Sequence, residues 1–508
     1  MFKFQRYYTT VKTLSENTIY ALCSGQGKCG VAVIRISGKD ASLAIKKLTK
    51  YNVSLPPPRY ANLTAICHPK TNDVIDKGLL FWFPSPNSFT GEDVCEFQVH
   101  GGTAIVSSIL QALETLPNFR LARPGEYTKR AFFNKKMDLV EAEGLADLIN
   151  AETELQRKQA FLQSQGVLSK VYKKWKDDIF NSLMNFESLF NFENIEEYES
   201  EKILNEIFIK IEVIRNDVVK HLNDGTRGET LRSGVQTVIL GEPNVGKSSL
   251  YNFLCKRNAA IVTPYPGTTR DTLEMNLDIL GYPVILFDTC GLRYEDVDPI
   301  EAEGVKIALS AIEKAQLLIL IVDVEKFTIW KKLNNNEVLF DFIKEHVVDN
   351  LKVPHIINEM DLKEKKLENL FNKKCIILLN KVDKINDTIE NEALCVSVKT
   401  QKGLNKFITK MGAHLKDICA EPTKENPAIT KLRYRLLLEK SEKHFNSFLD
   451  TIKEARDSQK LNDLDYGLLG NDLRYSLRYI TEIIEGRKDN SPVVDVLDEI
   501  FHNFCIGK

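Results

Sequence analysis

The stretch GEPNVGKSS at residues 241–249 decides what kind of fold this 508-residue chain contains. It fits G-x-x-x-x-G-K-[ST], the P-loop pattern, in which glycines let backbone N–H groups face a phosphate. The apolar run before it, residues 236–240, predicts a buried strand, and the residues from Ser248 onward predict a helix whose N-terminus favours anions. Lys247 is expected to reach the β- and γ-phosphates, and the Ser248 hydroxyl to bind Mg²⁺. The residues of this loop predicted to bind nucleotide are Gly241, Asn244, Val245, Gly246, Lys247, Ser248 and Ser249.

Two further phosphate-side motifs follow in the order that GTPases use. GTTRD at residues 267–271 predicts a switch loop, in which Thr268 contacts the nucleotide and Thr269 supplies a second hydroxyl to Mg²⁺. The strand-like run at residues 283–287 leads into a D-x-x-G motif, whose carboxylate holds the metal through water and whose glycine N–H meets the γ-phosphate. The residues of that motif are Asp288, Thr289, Cys290 and Gly291.

Two motifs on the base side predict selectivity for guanine. Another strand-like run, residues 375–379, leads into N-K-x-D, and SVK follows at residues 397–399. The Asp383 carboxylate can accept hydrogen bonds from guanine N1–H and N2–H₂, a pair that adenine does not offer, so ATP would leave a buried charge unpaired. The residues predicted to hold the base are Asn380, Lys381, Asp383, Ser397 and Lys399. Five motifs in this order predict a Ras-like, GTP-hydrolysing domain.

Composition places few limits on the partners. Lys and Arg number 68 against 70 Asp and Glu, so the overall charge neither favours nor excludes an RNA partner. No apolar run approaches the length of a membrane span. The ten cysteines are scattered without metal-ligand spacing, which is typical of reduced thiols in an intracellular protein. Residues 1–17 are basic and hydroxyl-rich without an acid before Glu16, which predicts a transit peptide and a location in the mitochondrial matrix; a disordered tail is the alternative.

The periodicity of the chain predicts a multidomain protein of α/β and α type. We expect an N-terminal α+β domain at residues 18–135, helical segments at 136–230 and 417–508, and a GTPase domain at 231–416 inserted between the two halves of an elongated helical bundle. The glycine-rich segment 224–234 is interpreted as the linker into the GTPase domain, and residues 325–374 as a helix plus an expanded surface loop. Taken alone, the lone charge of Arg35 on its strand indicates a surface residue.

The catalytic machinery departs from that of Ras-like GTPases. Leu292 stands where those proteins carry a water-orienting glutamine after D-x-x-G. Asn244, with the backbone of residues 263–268, could form an oxygen cage for a monovalent cation in place of an arginine finger; Arg270 and Arg293 remain alternatives. The acidic run at residues 295–303 could supply a water-orienting carboxylate, although most of these acids fit solvated loop charge equally well.

Four stretches outside the GTPase motifs carry a family resemblance. They are GVAVIRISG at 30–38 with NSFTGEDVCE at 87–96, RPGEYTKRAFFNKKMDL at 123–139, and the terminal CIGK at 505–508. Together with the five motifs, they make the chain resemble the MnmE (TrmE) family of tRNA wobble-uridine modification GTPases, in its mitochondrial form, from Thr18 to Lys508. The resemblance implies a homodimer formed through a tetrahydrofolate-binding N-terminal domain, a helical domain and a potassium-activated GTPase domain.

The resemblance also implies roles for individual residues. The folate contacts, to a 5-formyl or 5,10-methylene derivative, fall on Arg35, Glu96, Lys136 and Lys508, which replaces the surface interpretation of Arg35. The potassium contacts fall on Asn244, Thr263, Tyr265 and Thr268. Glu301 takes the role of the water-orienting glutamate, with Glu303 as a lesser candidate because the spacing from Asp288 is one residue longer than in bacterial relatives. The family usually has alanine where this chain has Cys290, a change too small to threaten nucleotide binding.

Cys505 has several interpretations. A thiolate near the terminal Lys508 would have a lowered pKa and could take part in the modification chemistry, so Cys505 joins Glu301, Lys247 and Asn244 as a candidate catalytic residue. A packed thiol fits equally well, whereas a prenylation box is a poor match for C-I-G-K.

The family's reaction uses a flavoprotein partner that resembles MnmG and binds FAD. Together they add an aminomethyl-type group, carboxymethylaminomethyl or taurinomethyl, to C5 of the wobble uridine of mitochondrial tRNA, and GTP hydrolysis drives association of the two GTPase domains. Two alternatives stay open. One is a ribosome-assembly or other regulatory GTPase switch, and the other is an autonomous folate-dependent aminomethyltransferase.

Overall fold

The computed structural model covers two compact units, which are described separately. One unit comprises residues 1–146, 169–174 and 480–508, and the other comprises residues 147–168 and 175–479. The structure describes residues 17–25, 27–51, 53–191, 197–258, 274–288, 310–334, 338–344, 370–385, 393–459, 464–486, 501, 504 and 507.

The N-terminal unit is built on a six-stranded sheet in the order β3-β4-β5-β2-β1-β6. All neighbouring strands are antiparallel except β1 and β6, which are parallel. One face packs against α1 and α2, and the core there includes Ile34, Phe97 and Leu113. The α+β fold predicted for this region is therefore confirmed. Its elements are β1 Thr18–Leu22, β2 Cys29–Ser37, α1 Ala41–Leu48, β3 Asn62–Cys67, β4 Val74–Phe83, β5 Val94–Gly101, α2 Thr103–Glu114, β6 Phe119–Leu121, α3 Glu126–Phe133 and α4 Leu139–Asn150.

The R-P-G-E-Y motif of this unit serves packing and buried charge pairing. Gly125 has φ +66°, and a Cβ there would overlap the carbonyl oxygen of Phe501, so the position needs glycine. Glu126 is buried and accepts from Arg120 Nη2 at 2.6 Å and from Arg130 Nη2 at 3.2 Å. Burial opposes its ionisation most strongly, but the hydrogen bonds from Arg120 and the Arg123 N–H and the charges of Arg120 and Arg130 together outweigh burial, and the pKa of Glu126 is lowered. The motif thus fixes α3 between the sheet and the C-terminal segment.

The second unit contains a mixed sheet and most of the helices. Its elements are α5 Glu154–Ser164, α6 Val167–Asn191, α7 Glu197–Asn223, α8 Arg227–Ser233, β7 Val235–Leu240, α9 Lys247–Asn258, β8 Glu274–Ile279, β9 Tyr282–Asp288, β10 Leu317–Asp323, α10 Val324–Leu333, α11 Leu339–Phe342, β11 Lys374–Asn380, β12 Leu394–Cys395, α12 Leu404–Ile418, α13 Leu432–Asp457 and α14 Tyr466–Glu485, with a 3₁₀ turn at Val382–Lys384. Residues 169–174 of α6 are grouped with the first unit.

The sheet of this unit has the order β12-β11-β10-β7-β9-β8, and only the β8–β9 pair is antiparallel. Every residue of β10 is buried. Leu318, Leu320 and Val322 pack into the core on one face, while Leu317, Ile319 and Ile321 pack into the core on the other. A strand covered on both faces gives a continuous apolar run, which is why the sequence predicted β7, β9 and β11 of this sheet.

The segment interpreted as a linker contains a helix. Residues 227–233 form α8, and a Cβ on Gly228 would overlap the carbonyl oxygen of Ile429. Glycine at position 228 lets α8 pack closely against Ile429, which follows the GTPase sheet in the chain. A glycine-rich composition therefore does not imply an extended connection at this point. Among the helices described, none is long and apolar enough to cross a membrane.

A half-buried histidine between two long helices leads us to expect that the stability of the second unit depends on pH. His221 on α7 lies edge-on to Trp175 on α6 with ring centroids 5.7 Å apart, and burial lowers its pKa from 6.5 to about 4. Because the unfolded chain binds this proton more tightly, stability is complete above the unfolded pKa of about 6.5 and falls between that value and about 4. The loss near pH 5 is up to about 2 kcal/mol.

We expect the thermal midpoint to fall less on acidification in His221→Phe than in the wild type. Calorimetry at neutral and mildly acidic pH measures the shift of the thermal midpoint in each protein. Subtracting one shift from the other cancels the contribution of the other titrating groups, which both proteins share. Equal shifts in the two proteins would show that His221 does not carry this dependence.

Candidate functional site

The carboxyl ends of four parallel strands bring the predicted motifs to one edge of the second unit's sheet. The P-loop follows β7, N-K-x-D begins at the last residue of β11, and Ser397 lies two residues after β12. The register pairs Leu240 with Leu320 and Asp323 with Asn380, so the ends of β7, β10 and β11 are close together. This edge of an open parallel sheet is where ligands bind in α/β folds.

The P-loop adopts the left-handed backbone that phosphate binding requires. Gly241, Asn244 and Gly246 have φ of +150°, +65° and +108°. A Cβ on Gly241 would overlap the carbonyl oxygen of Ile321, and one on Gly246 would overlap Asn380 Nδ2. Asn244 is exposed at the tip of the loop, whereas Val245 is buried beneath it. The loop is therefore held from below by neighbouring strand ends while its upper side faces the cleft.

The first turn of α9 places the charged and hydroxyl groups of the motif. Lys247 opens the helix, and its Nζ donates to the carbonyl oxygens of Gly241 and Glu242 at 2.8 Å each, so the ammonium group lies across the loop. Ser248 and Ser249 are exposed in the same turn. A hydroxyl at the start of a helix, beside a loop of N–H donors, suits a magnesium-bound phosphate.

Asn380 joins the phosphate and base sides of the cleft. Its Nδ2 donates to the carbonyl oxygen of Val245 at 2.7 Å, and its Oδ1 accepts from the N–H of Val398 at 3.1 Å. The residue is 3% exposed. Since one amide satisfies a donor and an acceptor on two separate loops, its role is to hold those loops in register.

Asp383 carries an exposed carboxylate whose orientation is fixed by a serine. Its Oδ1 accepts from Ser397 Oγ at 2.6 Å, a bond that lowers the pKa of the carboxyl, and the residue is exposed. Ser397 itself is fully buried and also accepts from the N–H of Thr400 at 3.2 Å. The serine therefore orients an ionised carboxylate into a cleft of about 1140 Å³. The residues lining this cleft include Asn244, Gly246, Ser249, Asn380, Asp383 and Lys399.

An ion pair beneath the base loop was missed by the sequence reasoning. Lys381, with φ +69°, places Nζ 2.7 Å from Asp323 Oδ2, and Asp323 is 7% exposed. The other oxygen, Asp323 Oδ1, accepts from the N–H of Glu325 and caps α10. The sequence signal for this pair is Asp323, an acidic residue at the end of a fully apolar strand. A carboxylate buried in such a place needs a cationic or hydrogen-bonding partner.

A second candidate site lies on the sheet of the N-terminal unit. Arg35 on β2 and Glu96 on β5 are paired in register, with Nε and Oε1 2.7 Å apart. The guanidinium of Arg35 lies 5.2 Å from the ring centroid of Phe89 and 5.7 Å from that of Tyr127. Tyr127 also donates its hydroxyl to the carbonyl oxygen of Arg35 at 2.7 Å. These two aromatic residues were missed by the sequence reasoning, although both stand inside quoted motifs.

Arg35 keeps its charge in this setting. Burial alone disfavours the cation, but neighbouring Cys23 and Glu96 outweigh burial, and the pKa of Arg35 is raised. Arg35 and Glu96 form a charged pair beside aromatic rings, and each side chain is about one-sixth exposed. Ordinary charged residues at a protein surface are more exposed than this.

The structure brings part of the remaining predicted folate set toward this region. Lys136 Nζ donates to the carbonyl oxygen of Pro86 at 3.0 Å, in the same loop that carries Phe89. Gly507, with φ +95°, lies against the end of β1, where a Cβ would overlap the carbonyl oxygen of Leu22. Gly507 of the C-I-G-K motif therefore lies beside Cys23 at the end of β1.

Comparison with known proteins identifies the family. The family model "GTP-binding protein TrmE N-terminus" matches residues 18–136, and "MnmE helical domain" matches residues 139–505. The chain belongs to the MnmE/TrmE family. Membership confirms, at the level of the family, the prediction of a GTPase involved in tRNA modification.

Three relatives of this MnmE-family chain show how far the similarity extends. A protein of Danio rerio named "5-taurinomethyluridine-[tRNA] synthase subunit GTPB3, mitochondrial" is 40% identical, over 97% of this chain and 93% of its own length. The Homo sapiens protein of the same name is 36% identical, over 97% and 94%. "tRNA modification GTPase MnmE" of Parvibaculum lavamentivorans is 39% identical, over 97% and 100%. The names of the eukaryotic relatives confirm the predicted mitochondrial location.

A solved GTP-binding protein of Sulfolobus solfataricus in complex with GDP is also similar in structure. It covers 61% of this chain and 84% of its own length, with 15% identity and a TM-score of 0.23, too low to support an argument.

Several predicted site residues of this MnmE-family chain lie outside the described residues. They are Thr263, Tyr265, Thr268, Thr269, Thr289, Cys290, Gly291, Glu301, Glu303, Cys505 and Lys508. Asp288 ends β9 beside Ile239 of β7, but only its backbone is described. Within the described part of the chain, no cluster of three His, Cys, Asp or Glu side chains is placed to hold a metal ion.

Proposed function

We propose that this protein is a potassium-activated mitochondrial GTPase that modifies the wobble uridine of mitochondrial tRNAs. With an MnmG-like FAD protein, it would add a carboxymethylaminomethyl or taurinomethyl group at C5, using a one-carbon unit from tetrahydrofolate. The observation that carries the proposal is the presence of two distinct sites in one chain of this family. One is a cleft that presents the Asp383 carboxylate, which we expect to select guanine, and the other is the Arg35–Glu96 pair on a separate sheet. Relatives named as tRNA-modifying enzymes support the same conclusion.

The nucleotide cleft suits GTP bound with Mg²⁺. Backbone N–H groups of the P-loop and the Lys247 ammonium would neutralise the phosphates, and Ser248 would bind Mg²⁺ together with Thr269. Mg²⁺ supplies positive charge to the β- and γ-phosphate oxygens. Asp383 would accept from the guanine edge, while Asn380 keeps the base loop and the P-loop aligned.

Asn244 is the residue we assign to potassium. It stands exposed in a left-handed conformation at the tip of the P-loop, so its side-chain oxygen can reach a cation beside the phosphates. Thr263, Tyr265 and Thr268 would complete the ligand set, and Glu301 would orient the attacking water. K⁺ supplies the charge that an arginine finger supplies in other GTPases.

Steady-state GTP hydrolysis in potassium and in sodium at equal ionic strength tests this assignment. We expect potassium to stimulate the wild type at least tenfold, because one charge-stabilising group is typically worth 10²–10³ in rate. Asn244→Ala should lose the stimulation, and Glu301→Ala should turn over slowly with GTP affinity unchanged. Asn405→Ala, at the outer rim of the same cleft, is the matched control and should respond to potassium like the wild type. Equal rates of the wild type in the two salts would contradict the assignment.

The Arg35–Glu96 pair is proposed to hold a tetrahydrofolate derivative. A carboxylate can accept from the N–H groups of a pterin, and the half-buried ring of Phe89 provides an apolar wall for it, while the buried Tyr127 ring supports Arg35. Lys136 and the terminal Lys508 would attract the negatively charged tail of the cofactor. Tetrahydrofolate supplies the one-carbon unit.

Arg35→Ala should weaken binding of 5-formyltetrahydrofolate at least tenfold while GTP binding stays unchanged. The loss follows because Glu96 would remain as a partly buried, unpaired charge. Isothermal titration of both ligands measures the effect, and Arg59→Ala, an exposed arginine that donates to the carbonyl oxygen of Asn87, is the control. Unchanged folate affinity in Arg35→Ala would contradict this site.

The N-terminal unit is also proposed to form the homodimer. Its edge strand β3 carries Leu63, which is 57% exposed, and Tyr60 and Val74 near the same edge are 68% and 66% exposed. Exposed apolar side chains at an open sheet edge favour association with another chain.

A further inference from the structure

Three ion pairs join the first turn of α10 to the two loops of the nucleotide cleft. One pair reaches the P-loop, and two reach the base loop. The pairs are Lys326–Glu242 at 2.7 Å, Glu325–Lys384 at 2.6 Å and Asp323–Lys381 at 2.7 Å. We call residues 323–326 the α10 turn. Each charged side chain of this turn meets an opposite charge, so the three acids and three lysines are neutral together.

The α10 turn is fixed to the core of the second unit's sheet. Asp323 is the last residue of β10, and Phe327 and Trp330 of α10 are 1% and 7% exposed. The rings of these two residues lie 5.5 Å and 5.3 Å from that of Phe342 on α11. Because side chains on packed helices and strands hold their geometry better than those on loops, the α10 turn is a firm support for both loops of the cleft.

Lys326 stands where the charge preference of a helix disfavours it. The N-terminus of a helix carries partial positive charge, so an acid such as Glu325 stabilises the first turn and a lysine destabilises it. Residues that break a local rule of this kind often serve a site elsewhere in the fold. The partner of Lys326 is the Glu242 carboxylate, whose side chain is 13% exposed. Lys326 therefore compensates for a negative charge that is largely shielded from water.

Glu242 is part of the loop that receives the phosphates. Its carbonyl oxygen accepts from Lys247 Nζ at 2.8 Å, so the same residue helps to orient the P-loop ammonium. An uncompensated carboxylate on this residue would repel the nucleotide phosphates and would compete with them for the ammonium of Lys247. The ion pair with Lys326 neutralises that carboxylate and fixes it on the α10 side of the loop.

We propose that Lys326 is a positioning residue for GTP, which acts by holding and neutralising the Glu242 carboxylate. This inference rests on the GTP-binding part of the proposed function, and it goes beyond that function by giving α10 a role in nucleotide affinity. The effect is larger for GTP than for GDP, because the triphosphate carries more negative charge. Lys326 acts through Glu242 rather than by contact with the nucleotide.

Binding of a fluorescent, non-hydrolysable GTP analogue and of fluorescent GDP to the full-length protein tests the proposal. At low salt, Lys326→Met should weaken binding of the GTP analogue about fivefold and of GDP about twofold, because one charge at the edge of the phosphate site is left uncompensated. Both effects should shrink as salt screens that charge. Lys326→Arg should bind like the wild type. In steady-state hydrolysis by Lys326→Met, the KM for GTP should rise while kcat is kept.

A second substitution separates action through Glu242 from direct action on the phosphates. Glu242→Gln removes the charge that Lys326 neutralises, so adding Lys326→Met to Glu242→Gln should weaken GTP binding no further. Lys332→Met removes an exposed lysine from the last turn of the same helix and is the matched control. This control should bind both nucleotides like the wild type.

The proposal is overturned if Lys326→Met binds the GTP analogue like the wild type. It is also overturned if Lys326→Met weakens GTP and GDP equally at every salt concentration, as a purely structural support would. If Lys326→Met still weakens binding in the Glu242→Gln background, Lys326 acts on the phosphates directly and the proposal fails. A wild type that binds neither nucleotide would contradict the proposed function and this inference together.

Discussion

Asp383→Asn is expected to lower the affinity for GTP about a thousandfold and to shift preference toward xanthosine triphosphate. A site built to pair with a base edge rejects a base that leaves its buried groups unsatisfied, with effects of 10⁴ or more in the strongest cases. The asparagine keeps the size of the side chain but offers an N–H₂ group where guanine N2–H₂ needs an acceptor. Xanthine carries a carbonyl at that position and can accept from the amide. The hydrogen bond from Ser397 Oγ can persist to the amide oxygen, so the loop should keep its shape.

Competition between the two triphosphates for a fluorescent nucleotide measures this change. Asp417→Asn is the matched control, because Asp417 is exposed. Its carboxylate lies 3.3 Å from Lys374 Nζ on the surface of the same unit. Its affinities should equal those of the wild type. If Asp383→Asn retained tight GTP binding, guanine would not be selected by this carboxylate.

Asn380→Asp is expected to disable the cleft without changing the size of the side chain. The Nδ2 group that donates to Val245 O would become a carboxylate oxygen facing a carbonyl oxygen, while the acceptor role toward the Val398 N–H could remain. Losing a buried hydrogen bond and burying a charge at a residue 3% exposed costs about 3 kcal/mol. We expect the thermal midpoint to fall by about 10 °C and GTP affinity to fall at least a hundredfold, because the P-loop and the base loop lose their common support.

Asn405→Asp separates that effect from the mere addition of a negative charge. Asn405 lines the outer cleft and accepts from Arg257 Nη1 at 3.0 Å, so a carboxylate there gains a salt bridge. Calorimetry and nucleotide titration on both variants provide the comparison. Near wild-type behaviour of Asn380→Asp would mean that the two loops are held together by something else.

The sequence predicted the strands and loops that form the candidate nucleotide site because this fold imposes strong local patterns. β7, β9, β10 and β11 are covered on both faces or nearly so, which requires continuous apolar runs, and the P-loop, D-x-x-G and N-K-x-D motifs come directly after the runs of β7, β9 and β11. The P-loop can be recognised in the sequence because its geometry requires glycine at two positions. A Cβ on Gly241 or Gly246 would overlap a neighbouring strand end.

The contacts that organise the sites were not predictable, because they join residues far apart in the chain. The pairing of Lys381 with Asp323, and of Asn380 with Val398, depends on which strands neighbour each other in the sheet. Arg35 illustrates the same limit. Its own strand indicates a surface charge, whereas its partner Glu96 comes from a strand 61 residues later. The helix α8 lay hidden in a glycine-rich segment because Gly228 serves close packing there.

Nucleoside mass spectrometry of mitochondrial tRNA tests the central claim most directly. Cells that lack this protein should lose the C5 modification of the wobble uridine, wild-type protein should restore it, and Asp383→Asn should not. Arg35→Ala, which leaves GTP binding intact in this account, should also fail to restore it. An unchanged wobble uridine in cells without the protein would contradict the account.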